Sequence, residues 1–349
     1  MAPGRSGTHK RRRCGDVSEA GGRERCLRTA GGHSGVAGAG EASPYNRIEI
    51  KIASAYDEES IVVKVARKFK EILEGKTQGA VKVSVLPGGS VGNSEAINEA
   101  VTVQAIQMAA TDAMLIYMYA PEYFFCEAPY IMKDSDHYFR FWNSALGDKM
   151  RQRVLDKGKI QIFKPFYRGS RIFMSKKAPI RSPEDFKGLK LRIPVIDTWV
   201  AIFKQFGAEP VPIPLNDLYI SLSTGVVSAT EGPADQLWSF ALYEVQEYLS
   251  ITNHLPTMGL LTINQDFLGK QNEKTQEVIR GATQEAAEWG SDLSKKRESE
   301  LIDRMVKEKK MKLVIPADKS VFAAKIRDKI DELFRTKWNV TTYEELSRL

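Results

Sequence analysis

Two spacings of apolar residues alternate along the chain from Ile48 onward. Ile48, Ile50 and Ile52 are separated by polar residues, the period of a half-buried strand, and residues 59–73 then repeat at helical spacing. Residues 81–86 alternate again and stop at Pro87-Gly88-Gly89. A helix from about 94 to 103 leads to a further strand over 106–111. Strands alternating with helices of this length predict a mostly parallel sheet. The aromatic stretch 117–130, broken by Pro121 and Pro129, reads as a packed connection.

The second half repeats the pattern. Residues 160–167 and 171–175 read as strands. Ser182-Pro183-Glu184-Asp185 reads as a helix start, with Ser182 as cap and Pro183 in the first turn. A short strand over 188–193 is stopped by Pro194, and Asp197 or Thr198 can cap the next helix, which Gly207 ends. One more strand covers 226–230, and Pro233 opens the helix that carries Trp238. From 273 to about 309 there is no proline. Val278, Ala282, Ala286, Trp289, Leu293, Leu301, Ile302 and Met305 lie largely on one face, so a single helix there would run about 50 Å. The alternative is two helices with a kink near Gly290.

A chain of 349 residues exceeds one ordinary core, so two lobes are expected. No apolar run reaches the roughly 18–20 residues of a membrane-spanning helix. Within residues 1–44, eight basic and four acidic residues leave +4 of the chain's +7, so the folded part is nearly balanced. That balance argues against a nucleic-acid partner, which requires a basic face. Residues 1–44 hold almost no large apolar side chains and are expected to be a disordered tail. The stretch after Arg28 is too weakly apolar for a secretory signal. Either export takes another route, or the recorded start is not the natural one. Cys14 and Cys26 fall in this tail. Cys126 is then a lone thiol, read as a small buried hydrophobe, and the four histidines are scattered. No metal site and no cofactor are expected.

Candidate chemistry gathers around 183–194. On a strand, Leu191 and Ile193 share one face while Lys190 and Arg192 share the other. Pro194 ends the strand, which leaves Arg192 at its carboxyl end just before a helix N-terminus. In open α/β sheets ligands bind at that edge, and a helix N-terminus favours an anion. A guanidinium there can grip a carboxylate through two parallel hydrogen bonds, as lysine cannot. A surface salt bridge is the competing reading. Arg171, after Gly169-Ser170, starts a strand close to the expected crossover. Glu231-Gly232-Pro233 follows the 226–230 strand, and Gly232 allows close approach of a backbone or a ligand. Gly88-Gly89-Ser90-Val91-Gly92-Asn93-Ser94 lacks the spacing of a phosphate or dinucleotide loop, so Asn93 or Ser94 reads as a helix cap.

With these residues in place, the chain from about 48 to its end resembles the DctP-type substrate-binding proteins of TRAP (tripartite ATP-independent periplasmic) transporters. The resemblance rests on Ser182 to Pro194, on Leu218-Tyr219-Ile220-Ser221-Leu222, and on Glu231-Gly232-Pro233. Leu86-Pro87-Gly88-Gly89, Glu127-Ala128-Pro129-Tyr130 and Tyr243-Glu244-Val245-Gln246 support it. It implies an α/β, two-lobed type II periplasmic-binding-protein fold with a long helix bracing both lobes. Lobe I would comprise 46–168 plus 257–297, and lobe II 169–256 plus 298–349. It also implies a periplasmic receptor that hands an organic acid, C4-dicarboxylate-like or related, to TRAP membrane subunits, as a monomer or homodimer. Arg192 and Arg171 match the two family arginines, Asp112 an acidic residue, and Asn93 and Ser94 a polar pair. Glu231 would orient polar groups. Many members carry Asn where this chain has Gly232, so a member's substrate does not transfer. Trp238 is either an apolar wall of the site or lobe core. Two other readings are an enzyme acting on a carboxylic acid in the same cleft, for which no nucleophile, His–Asp pair or cofactor loop is evident, and a sensor or scavenger of that acid.

Overall fold

The computed structural model describes residues 43–349. The tail expected over 1–44, with its two cysteines and its export segment, lies outside the described residues except for Ser43 and Pro44. Ten strands form one sheet. They are β1 Ile48–Ala53, β2 Val81–Leu86, β3 Met108–Thr111, β4 Ile160–Ile162 and β5 Phe166–Ser175, followed by β6 Lys190–Ile193, β7 Glu209–Pro212, β8 Ala229–Pro233, β9 Tyr248–Asn264 and β10 Lys312–Val314. Their order is β2-β1-β3-β9-β5-β8-β6-β7, with β4 and β10 also on β9. The first three strands run parallel, as the alternation predicts, and so do β6, β7 and β8. The two parallel sets are joined through β5 and β9, which run antiparallel to each other.

These two strands differ from the expectation. The break expected over 168–170 is absent: the chain leaves the strand at 163–165 instead, and β5 is continuous from Phe166 through Ser175. Its pairing with β9 shifts between Tyr167 and Gly169, and Gly169 holds φ +109°, a bulge that only glycine accommodates without strain. A second shift is larger. Arg171 pairs with Leu255 and Phe173 with Ser250, so residues 251–254 of β9 face the single residue Ile172. Asn253 there has φ +46°. The sequence reading missed β9 because its first half is polar and contains Pro256, which reads as loop. Pairing on both edges overrides that local signal.

The predicted cap and turn at Ser182 exist, but the element is one 3-10 turn, Pro183–Phe186, with a capping box. The next helix, Asp197–Lys204, has Ile196 at its cap position and no side-chain cap. Asp197 accepts instead from Tyr117 Oη and Lys337. The helix also stops before Gly207. The strand expected over 226–230 lies at 229–233, placing Glu231 and Gly232 inside it. Cys126 is fully buried among aromatic side chains, as expected.

The long helix is one continuous element, Glu273–Lys307, of 35 residues. Gly290 lies at a close contact between helices. A Cβ placed there would lie 2.3 Å from Val65 Cγ2 on the helix Ile61–Lys76. Val65 is fully buried and β-branched, so it has little freedom to move aside. Gly290→Ala is therefore expected to destabilise the protein by about 1–3 kcal/mol despite alanine's better helix propensity. A urea midpoint equal to or above that of the parent would contradict this packing. Among the described residues no helix is long and apolar enough to cross a membrane, and no group of His, Cys, Asp or Glu is placed to hold a metal ion.

Candidate functional site

Alternation on β6 sends Leu191 and Ile193 into the core and Arg192 to the opposite face. Arg192 is only 2% exposed, yet its one protein hydrogen bond runs from Nε to the Ile213 carbonyl at 2.9 Å. Among the described residues no carboxylate forms an ion pair with it. Burial pulls its pKa down to about 10, against the attraction of Glu231, so it stays cationic at neutral pH.

Arg171 has a different setting. On β5 it sits diagonally across from Glu231 on β8, and its Nε and Nη2 grip both oxygens of that carboxylate. Burial alone would raise the pKa of Glu231, but Arg171 and His254 together hold it at about 2. The β9 bulge supplies His254. Burial keeps its imidazole below the usual range, hence neutral at pH 7. Its Nε2 stands 3.3 Å from Glu231 and its Nδ1 2.9 Å from Thr252 Oγ1, so Nε2 donates to the carboxylate and Nδ1 accepts from the hydroxyl.

A third cluster lies on the side of β1 and β3. The Tyr56 hydroxyl donates to Asp112, and Arg168 Nη1 donates to Tyr56 Oη at 2.9 Å while standing 3.9 Å from Asp112. Arg168 also lies over the Tyr56 ring, 4.3 Å from its centroid. Burial keeps that hydroxyl protonated well above its ordinary range. A regular strand would send Arg168 and Arg171 to opposite faces; the bulge at Gly169 changes the parity. Asn93 caps the helix Ser94–Thr102 through Oδ1, accepting from Ala96 N at 2.9 Å, and its amide N–H groups remain for other partners.

These groups meet at a cavity of about 40 Å³. Tyr56, Asn93, Ser94, Asp112 and Met114 line one side, and Arg171, Arg192 and Gln236 the other. It shares Glu95, Met114 and Val195 with a wider groove of about 800 Å³ that reaches Asp197 and Lys337. The structure thus brings together Arg192, Arg171, Asn93 and Asp112. Glu231 stands behind Arg171 as its counter-ion, and Gly232 lies under the Gln236 side chain. Trp238 is not at the cavity. It packs on Tyr243, with Arg304 4.2 Å from its ring centre, so the apolar-wall reading does not hold. The sequence reading missed Tyr56, Arg168, Gln236 and His254. Only Gly169 within a strand pattern hinted at the bulge that places Arg168.

Arg171 is paired with Glu231 and Arg168 stands near Asp112, whereas Arg192, at the cavity wall, has no carboxylate partner among the described residues; Glu95 also lines the cavity.

The chain is similar to several known proteins. The 2,3-diketo-L-gulonate-binding periplasmic protein of Escherichia coli is 27% identical over 269 residues, covering 77% of this chain and 81% of that protein. A TRAP periplasmic solute-binding protein of Roseobacter denitrificans with bound L-galactonate superposes with TM-score 0.78 at 25% identity, covering 86% of this chain and 99% of that one. One from Sulfurospirillum deleyianum with bound succinate gives TM-score 0.81 at 22% identity, over 86% and 99% of the two chains. The model of the DctP family, described as bacterial extracellular solute-binding protein, family 7, matches residues 52–337. The chain belongs to the DctP family of bacterial extracellular solute-binding proteins.

Proposed function

We propose that this protein is a periplasmic receptor that binds an organic acid by its carboxylate at Arg192 and passes it, chemically unchanged, to TRAP membrane subunits. The observation that carries the reading is the buried Arg192 cation with a single backbone contact and no carboxylate partner. A buried unpaired charge is costly, and an arriving carboxylate supplies what it lacks. Relatives with bound L-galactonate and succinate support the acid class. Arg171, already committed to Glu231, would add the N–H groups of its free Nη1. Asn93 and Asp112 would face the rest of the ligand.

A cavity of about 40 Å³ has room for only a few waters, so entry of an acid needs the two walls to part. We propose the lobes 46–168 plus 257–297 and 169–256 plus 298–349 as the moving bodies. Support comes from the Gly169 bulge, which pairs with Thr257, and from Glu298, which accepts from Ser170 N at 2.7 Å. Ligand contacts to both bodies favour the closed state by their differential affinity.

A thermal-shift panel of dicarboxylates, 2-hydroxy and 2-oxo acids, sugar acids and aromatic acids tests the reading. An acid at about 100 times its Kd stabilises by roughly 2.7 kcal/mol, a readable shift. No shift with any acid contradicts the receptor reading. A new product detected by mass spectrometry would favour the enzyme alternative.

A further inference from the structure

Gly232 carries no side chain, and the structure shows what fills the space above it. A Cβ on Gly232 would lie 3.0 Å from Gln236 Nε2 and 3.3 Å from its Cδ. Gln236 projects from the first turn of the helix Ala234–Ser239, back over the bare glycine. It is 2% exposed and lines the cavity beside Arg171 and Arg192. Its Nε2 is buried without any acceptor. A buried donor left unsatisfied costs about 1–3 kcal/mol, so the group is arranged for an acceptor that the folded chain does not supply.

We propose that Gln236 is a ligand-contacting residue whose amide donates to an oxygen on the carbon chain of the acid, which makes the substrate class a hydroxylated monocarboxylate. The proposal rests on the receptor reading above and narrows it. The wall opposite agrees. Asp112 and the half-buried Glu95 face the cavity as acceptors, and a chain hydroxyl can donate to them while accepting from Gln236. A second carboxylate cannot donate, and it would bring a like charge beside Asp112. Arg192 is the one of the three arginines with no carboxylate partner among the described residues, which suits one ligand carboxylate; Arg171 is already paired with Glu231. A plain alkanoate would leave Gln236 Nε2 buried and unpaired.

Calorimetric titration with matched acids tests this in four- and six-carbon series: butanoate, 2,3,4-trihydroxybutanoate and succinate, then hexanoate, galactonate and adipate. The parent protein should bind a polyhydroxy acid at least about 30-fold more tightly than the plain acid or the diacid of that length, since a site built around a hydroxyl rejects analogues lacking it. Gln236→Met keeps side-chain length without the donor. It should weaken the polyhydroxy acid about 10- to 100-fold and leave the plain acid within about 3-fold, as loss of one buried hydrogen bond implies. Comparing ligands on the unmodified protein keeps the test independent of how the variant folds. If acids bind but the diacid or plain acid matches the polyhydroxy acid, or if Gln236→Met weakens all equally, the proposal fails while the receptor reading stands. If no acid binds, both fail.

Discussion

Arg192→Ala is expected to abolish acid binding while leaving the unliganded fold at least as stable. Truncating one side of a buried, hydrogen-bonded charge pair costs about 2–5 kcal/mol or more, a loss of about 30- to 5,000-fold in affinity. In the unliganded protein the same change removes a buried cation whose only hydrogen bond is to the Ile213 carbonyl, so the unfolding midpoint should hold or rise. Arg192→Lys separates charge from geometry. The ammonium keeps the charge but cannot form two parallel bonds to a carboxylate, so affinity should fall by roughly 30-fold or more. Calorimetry and thermal unfolding on the same samples check both halves. Wild-type affinity in either variant would remove Arg192 from the account, and a collapse of stability would make it a structural residue.

Glu231→Gln should do the reverse, damaging the fold first. Glu231 is fully buried and gripped by Arg171 through two bonds, with His254 as a third partner. Removing its charge strands the Arg171 guanidinium in the interior, and breaking a buried pair in this way costs about 3–5 kcal/mol. The pH dependence follows from the sign of the shift. The folded-state pKa of about 2 is below the ordinary 4.5, so the stabilisation is fully present above about pH 4.5. It is lost as pH falls from there towards 2. Urea midpoints from pH 7 down to 2.5 should decline more steeply for the parent than for Glu231→Gln. Parallel curves would mean that this pair is not what acid disrupts.

The legible part of this molecule was local. β1, β2 and the long helix announce themselves by period, and Arg192 by its place between a core-facing strand pattern and Pro194. What the sequence hid depends on contacts between distant segments. Arg171 and Glu231 were singled out separately as candidate ligand contacts, and only the β5–β8 register reveals them as each other's partner. His254 reaches Glu231 because four residues of β9 face one of β5, a feature with no sequence period. Tyr56 meets Asp112 directly, and Arg168 joins them from β5 beside the bulge at Gly169. Gly232 was read as bare backbone open to close approach, yet the structure places the Gln236 amide over it, four positions along the chain. Trp238 could not be placed from sequence because a side chain one turn into a helix can face either way.

A carboxylate meeting Arg192 is tested most directly by changing the ligand rather than the protein. The tightest-binding acid of the panel and its carboxamide, the same shape without the charge, are titrated into the unmodified protein. The amide should bind at least 10²-fold more weakly, because it leaves the Arg192 cation buried without a counter-ion. Binding of the amide within about 3-fold of the acid, less than about 0.7 kcal/mol, would contradict carboxylate capture at Arg192.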